Sequence, residues 1–544
     1  MFMAIFVANL CLAQYSIIGK ITTIENHTAI ASATLTLFRE GRSVMTTISD
    51  EEGDFSFSNI KTKGEYRITA EHVSKESRSF IFTIKEKKSV VDIQLKNKQH
   101  YLETLEIKSL RVSDKAPFAK TNLAKEDIAA NNFGQDLPYL LNQTPGAVIN
   151  SDAGNGIGYT GIRIRGSDAT RINVTINGIP YNDAESQGVY FVDMPDIASS
   201  VNSIQIQRGV GSSSNGAGAF GATIHLSTNE FIEKPYAEIN NSYGSFNSWK
   251  NTVKAGTGLI NDHFTIDTRI SRISSDGYID RASSNLKSLY FSTACINKKS
   301  TLRFNYFGGT EKTYQAWNGV PENMLPTNRT MNSAGTEKPG DPYDNETDNY
   351  KQEHFQLFFN QAIHTDLSFN TGIFLIKGKG YYEQYKADQD FAVYGLNDPI
   401  INGSPITNTD LIRQLWLDND FFGQIFSLEY KKPTNQLTFG GGWNRYNGNH
   451  FGEVIWANAG IPKNYRWYQL NANKTDLNFY TKWEHTLGKQ FNVYADVQYR
   501  NVDYNINGFK ANPTVRIKRS FNFINPKVGI HTIIKASGHF SVIQ

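Results

Sequence analysis

Hydrophobic and polar residues alternate with period two along most of this chain, and the alternation changes character near residue 230. Between residues 16 and 97 the alternating segments are short: IIGKIT, ATLTLF, SVMTTI, GDFSFS, YRITAE, SFIFTI and VVDIQL follow one another with turn signals between them. Seven short strands in so few residues predict a small β-sandwich over 14–98. The turn SDEEGDF (49–55) offers Asp50, Glu52 and Asp54 to a calcium ion, but the glycine and closing glutamate of a calcium loop are out of place. A hairpin turn with Gly53 at positive φ is the expectation there.

Residues 99–120 read as a linker: a lightly apolar extended strip, ETLEIKSLRV (103–112), runs into a Pro/Lys/Ser segment. The run KEDIAANNFGQDLPYLLNQTPGAVI then predicts one or two short helices, with Asp136 as cap, Pro138 in a first turn, and Pro145 with Gly146 as the stop. From 157 to 229 the chain returns to short strands and glycine-rich turns. Within it, GIRIRGSDATRINVTINGIPYN (161–182) alternates like a strand yet carries Arg163, Arg165 and Arg171.

Beyond 230 the strands lengthen. FTIDTRI, LYFSTAC, LRFNYF, LSFNTGIFL, LNFYTKW and FNVYADVQY each have one apolar face; in the last, Phe491, Val493, Ala495, Val497 and Tyr499 oppose Asn492, Tyr494, Asp496 and Gln498. Short turns at 259–262, 297–300, 432–436 and 487–490 alternate with long connections near 309–350, 377–421 and 444–476. Long loops kept to one end fit a transmembrane β-barrel, whose polar lumen also explains an unremarkable mean hydropathy. No window approaches the ~18 consecutive apolar residues of a spanning helix, which leaves a barrel open.

Composition narrows the function. A formal charge of +3 over 544 residues gives no basic footprint for a nucleic-acid partner. Two cysteines, Cys11 and Cys295, exclude a disulfide framework and a multi-cysteine metal site. FMAIFVANLCLA (2–13) has the length and small-residue ending of a signal peptide, so 1–13 reads as an export signal. GAGAFG (216–221) matches a dinucleotide fingerprint, but ATIHLSTN after it is strand-like where a helix is needed. With no HExxH, GxSxG or GxxxxGK[ST] and no histidine cluster, no catalytic residue, metal ligand or cofactor is expected.

Taken in order, DLPYLLNQTPGAVI (136–149), GIRIRGSDATRINVTINGIPYND (161–183) and VNSIQIQRGVGSSSNGAGAFGATIHLST (201–228) resemble the plug of TonB-dependent outer-membrane receptors. Pro145-Gly146-Ala147, Ile164-Arg165-Gly166, Asn177-Gly178-Ile179-Pro180 and Arg208-Gly209-Val210 carry the resemblance; Asn177, Val210 and His225 depart from the commoner Asp, Pro and Asn. The segment 14–98 resembles the carboxypeptidase-regulatory-like sandwich of Bacteroidetes-type members. The implied fold is mainly β: an N-terminal β-sandwich, an α+β plug over 121–229, and over 230–544 part of an antiparallel transmembrane barrel of about twenty-two strands. Roughly twelve strands are countable before SVIQ, so the expectation is a C-terminally incomplete barrel unable to close by itself.

The resemblance implies an energised importer in the outer membrane, with plug and sandwich on the periplasmic side. Glu103, Thr104, Leu105, Glu106, Ile107 and Lys108 stand as the TonB box, added as a strand to an inner-membrane TonB-type partner. Arg165 and Arg208 are expected to latch the plug to wall carboxylates, while Gly166, Asn177, Gly178, Pro180 and Gly209 shape its turns. The segments 152–159 and 182–190 are the expected plug apices, contributing Tyr159, Glu185 and Tyr190 to the ligand. From the loops, Arg329, Arg413, Arg445, His450, Trp456 and Arg466 are candidates for an anionic ferric chelate such as a siderophore or ferric citrate. An oligosaccharide, cobalamin or peptide, with a surface lipoprotein as lid, is the alternative cargo for the same architecture, and a non-functional truncated receptor is the other alternative.

Overall fold

The computed structural model describes residues 14–24, 26–72, 75–96, 111–113, 116–215, 220–488 and 491–534, with the backbone of 538–543. The chain divides into two compact units, 1–100 and 101–544. The expected signal peptide (1–13) and TonB box (Glu103–Lys108) lie outside the described residues.

The first unit is the expected sandwich. Its strands are β1 (Tyr15–Thr23), β2 (Thr34–Arg39), β3 (Arg42–Ile48), β4 (Asp54–Ile60), β5 (Gly64–His72), β6 (Lys75–Ile84), β7 (Lys88–Val90) and β8 (Ile93–Leu95). One sheet runs β4-β1-β7, with β8 also on β1, and the other runs β3-β2-β5-β6. Ile17, Ile21, Leu35, Leu37, Phe57 and Ile68 fill the space between them. VVDIQL is two strands rather than one, broken where Asp92 turns aside to accept from the Lys20 amide at 3.1 Å. Asp50 Oδ1 accepts from the amides of Glu52 (3.1 Å) and Asp54 (2.8 Å) with Gly53 at φ 80°, so the acidic turn is the hairpin expected of it.

The second unit opens with β9 (Lys120–Ala124), α1 (Lys125–Asn131), α2 (Leu137–Leu140), β10 (Ala147–Ser151), β11 (Thr160–Ile164), β12 (Ile172–Ile176), β13 (Ile179–Pro180), β14 (Ser203–Arg208) and β15 (Ala222–Ser227). Five strands form the sheet β13-β12-β15-β14-β9, and β10 with β11 form a separate hairpin. The described end of the 99–120 stretch is held to the plug sheet: Lys120 of β9 pairs with Gln207 of β14, and Val112 donates to Gln205 Oε1 at 3.1 Å. One sequence reading needs correction. Asp136 stands at the start of α2 without a side-chain cap bond, accepting instead from Thr160 Oγ1 at 3.0 Å. The GAGAFG segment leads into β15, as its strand-like continuation requires.

Around this plug stands the wall: β16 (Tyr236–Gly244), β17 (Ser248–Gly256), β18 (Phe264–Ser275), β19 (Ser284–Ile296), β20 (Ser300–Tyr314), β21 (Thr347–His364), β22 (Leu367–Asp390), β25 (Asn408–Lys432), β26 (Asn435–Ala457), β27 (Tyr465–Leu487), β28 (Phe491–Phe509), β29 (Asn512–Ile534) and β30 (Gly538–Ile543). These 13 strands form one antiparallel sheet in chain order; the short ribbon β23 (Ile400–Ile401) and β24 (Ser404–Pro405) stands apart. Among the described residues β16 and β30 end the sheet and do not pair with each other. Burial is inverted relative to the sandwich. On β28, Asn492, Tyr494, Asp496 and Gln498 are buried against the plug side while Phe491, Val497 and Tyr499 are exposed, the two faces read from the sequence.

The short turns fall where expected, but two of the long connections shrink. Expected loops at 377–421 and 444–476 reduce to 391–407 and 458–464, because β22, β25, β26 and β27 run for 23 to 25 residues. A strand of that length spans about 75–80 Å at ~3.3 Å per residue, whereas ~10 residues cross the hydrocarbon. A barrel strand needs an apolar face only over the height of the lipid, which would let pairing continue while the hydrophobic signal fades.

Candidate ligand-binding site

A cavity of ≈ 640 Å³ lies between the plug and the wall. Its floor is built from the segments 152–159 and 181–193. The first is a closed loop, with the Asp152 amide on the Tyr159 carbonyl at 2.9 Å. In the second, Asp183 Oδ1 accepts from the amides of Glu185 (3.0 Å) and Ser186 (2.6 Å), fixing the turn that presents Glu185. A side chain at Gly448 on β26 would collide with Glu185, so the wall is thinned where the turn approaches. The rest of the lining comes from wall residues Glu311, Trp317, Asp348, Tyr350, Tyr381, Tyr382, Trp416, Tyr446, His450, Tyr468 and Lys510.

Tyr159 organises the inner end. Its hydroxyl donates to Asp348 Oδ2 and stands 3.5 Å from Glu311 Oε1, and its ring meets Trp317 edge-on at 5.5 Å and Tyr190 at 6.3 Å. Burial pushes the phenol well up, and the neighbouring Glu311 and Asp348 push the same way. Asp193 completes the group: it lines the cavity, is 9% exposed, and its carboxyl has neither hydrogen bond nor ion pair among the described residues, its amide being on the Tyr190 carbonyl at 3.3 Å. Burial drives its carboxyl well above the ordinary range, with Asp348 and Asp183 adding to the shift. In all, Asp152, Asp183, Glu185, Asp193, Glu311 and Asp348 face one lysine, Lys510, and His450, whose Nε2 is 2.8 Å from Glu185 Oε2. No three His, Cys, Asp or Glu side chains are placed to hold a metal ion among the described residues.

Of the nine ligand candidates taken from the sequence, Tyr159, Glu185, Tyr190 and His450 line this cavity. The others do not. Arg329 is exposed and donates to the Leu325 carbonyl at 3.0 Å. Arg413 lies on β25 and is held by Gln384 Oε1 at 2.9 Å. Arg445 has the wrong parity: on β26 Tyr446, Gly448 and His450 point to the plug, which turns Arg445 outward. Trp456 packs on Tyr385 with centroids 6.4 Å apart, and Arg466 pairs with Glu453 at 2.7 Å over the Phe451 ring. The acids Glu311 and Asp348 escaped the sequence reading because no spacing ties residues on separate wall strands to the plug.

The plug is seated by polar contacts of its own. Asp196, at 54° φ before the 3-10 turn Ile197–Ser200, meets Lys250 Nζ at 2.9 Å and Arg269 at 3.9 Å and accepts from Thr252 (2.6 Å) and Ser271 (2.7 Å). Burial opposes the charge on Asp196, but Arg269, Lys250 and the hydroxyl donors outweigh it and hold its carboxyl at about 2. Ser213 N donates to Asp496 on β28 at 2.8 Å, with Lys527 at 3.8 Å. Asn177 and Gly178, at φ 56° and 86°, reverse the chain into Pro180, and Asn177 Nδ2 also reaches Gln356 on the wall at 3.0 Å. Gly166 and Gly209 take φ of 79° and 97°. Arg165, at φ 52°, is exposed, Arg208 Nε is buried without a hydrogen bond, and neither arginine has an ion pair among the described residues. Arg163 is also exposed, and Arg171 pairs locally with Asp168.

Comparison with known proteins places these parts. Residues 113–223 match the TonB-dependent Receptor Plug Domain, and residues 16–96 match the Carboxypeptidase regulatory-like domain. No curated protein sequence matches the chain. In fold it is similar to the ferric-catecholate import receptor Fiu from E. coli in its open form, at 15% identity and a TM-score of 0.58 over 78% of this chain and 69% of that one. It is likewise similar to the ferric yersiniabactin uptake receptor FyuA from Yersinia pestis, at 12% identity and a TM-score of 0.56 over 77% and 63%. The copper transporter OprC follows at 11% identity and a TM-score of 0.57 over 77% and 61%. The chain spans 57 to 69% of the length of the first receptors it matches.

Proposed function

The chain carries the plug domain of the TonB-dependent receptors, which are transporters rather than enzymes, and on that premise we propose that it imports a ferric siderophore across the outer membrane. The wall sits in outer-membrane lipid, with plug and sandwich toward the periplasm. Ligand enters the cavity against Tyr159, Glu185 and Tyr190, and the strip Glu103–Lys108 is offered to a TonB-type energy transducer, which pulls the plug aside. The observation that supports this reading is the cavity itself, framed by the two plug segments the sequence marks as apices. A ferric citrate-like cargo has less support than a larger chelate, since none of the five arginine and tryptophan candidates meant for an anion lines that cavity.

The test is transport of radiolabelled iron by cells expressing this chain or a version lacking residues 103–108, supplied as chelates of several classes. Both should bind ferric chelate at the surface, and only the intact chain should accumulate it, with accumulation lost on adding a protonophore. Equal accumulation by the deleted chain would sink the energised mechanism. Accumulation of labelled oligosaccharide in place of iron would move the reading to glycan uptake.

A further inference from the structure

Resting on that reading, we propose that the cavity selects a cationic cargo: a ferric chelate carrying a free protonated amine, seated with its ammonium at Asp193, beside Glu311 and Asp348, and its body against the rings of Trp317 and Tyr382. Charge balance carries the argument. Six carboxylates face one lysine and one histidine, and that histidine is engaged by Glu185. A cation relieves what burial costs the charged form of these acids, whereas an anionic chelate would add to it between low-dielectric walls, where repulsion is least screened.

The inner end has a specific vacancy for a donor. Asp348 receives the single hydroxyl of Tyr159, and Glu311 receives Thr313 Oγ1 at 3.3 Å and the more distant Tyr159. Asp193 receives nothing among the described residues although it is 9% exposed. Buried carboxyls are ordinarily satisfied, so a carboxyl left open toward a cavity marks the place of an incoming donor. An ammonium has three N–H bonds and no acceptor, so it can donate to the open Asp193 carboxyl without leaving an acceptor of its own unmet. The surrounding faces of tryptophan and tyrosine favour the same sign through their quadrupoles. The plug seat shows what this fold does with a carboxylate whose partner is built in: Asp196 has Lys250 and Arg269 beside it.

The purified full-length chain in detergent, read by tryptophan fluorescence, tests the proposal with ferrioxamine B, its uncharged N-acetyl derivative, and ferric citrate. Ferrioxamine B should bind about tenfold tighter than the acetylated form, the worth of one charge-assisted hydrogen bond. Asp193→Asn and Glu311→Gln, each close in shape to the residue replaced, should erase that preference and leave the acetylated form unchanged. Equal or tighter binding of the neutral or anionic chelates, or a preference that survives both substitutions, overturns it. A second pair separates charge from iron. Phenyltrimethylammonium bound in preference to benzenesulfonate, with no chelate bound, would keep the cationic site and reject the siderophore reading. Chelates bound without regard to charge would do the reverse, and absence of binding by every probe would reject both.

Discussion

Two regions where the plug meets the wall treat buried carboxylates in opposite ways. At the seat, Asp196 is enclosed by two cations and by hydroxyl donors, its side chain fully buried and that of Lys250 2% exposed. In the cavity, Glu311 and Asp348 share the phenol of Tyr159, the Asp193 carboxyl has no donor, and none of the three has an ion pair among the described residues. A buried charge needs compensation from the protein or from something that arrives. The seat is finished by the chain itself, and on the proposed reading the cavity is finished by what it binds.

The largest way to break this contrast is Asp196→Ala. Lys250 and Arg269 would then be buried without a counter-ion, and loss of one partner from such a site costs about 3–5 kcal/mol. The plug should lose its protection against protease at 161–182 while the wall stays folded; an unchanged cleavage rate would show that the seat does not hold it. Acid sharpens the same point. The carboxyl of Asp196 is held down at about 2, so its contribution is fully present above the unfolded value near 4 and is lost as pH falls through about 2. The difference in protection between the parent and Asp196→Asn should therefore persist at pH 4 and vanish near pH 2. The smallest effect has the opposite sign. Burial raises the Asp193 carboxyl, so its charged form is a burden near neutrality, and Asp193→Asn should slightly raise the urea midpoint at pH 7 while leaving it unchanged in acid. A lowered midpoint at pH 7 would mean that Asp193 already has a stabilising role.

How much of this was legible in the sequence depends on distance along the chain. Alternation placed the strands of both units, yet the same alternation means opposite things in them: Phe55 and Phe57 of β4 are core, whereas Phe491 and Val497 of β28 face outward. Plug motifs supplied the turn at Asn177-Gly178 and the two apices. The loops were legible only in part, for a physical reason. Strand pairing outlasts the apolar face, so Arg413, Arg445 and Arg466 read as loop residues while lying on β25, β26 and β27. The seat was expected from Arg165 and Arg208 toward carboxylates on the wall, but the described charge contact at Asp196 has the reverse polarity. Nothing local links Asp196 to Lys250 on β17, or Tyr159 to Asp348 on β21, and only the fold brings them together.

The left-handed backbone at Asp196 has a mechanical meaning. An L-residue at 54° φ is kept there by its surroundings, here by Lys250, Thr252 and Ser271. If the proposed pull separated those partners, the residue would be free to relax toward the common right-handed or extended regions. Reseating must then wind it back before any of the bonds can form again. Opening and closing would follow unequal barriers, and the plug would show hysteresis, a catch that resists the first tug and does not spring shut at once behind the cargo.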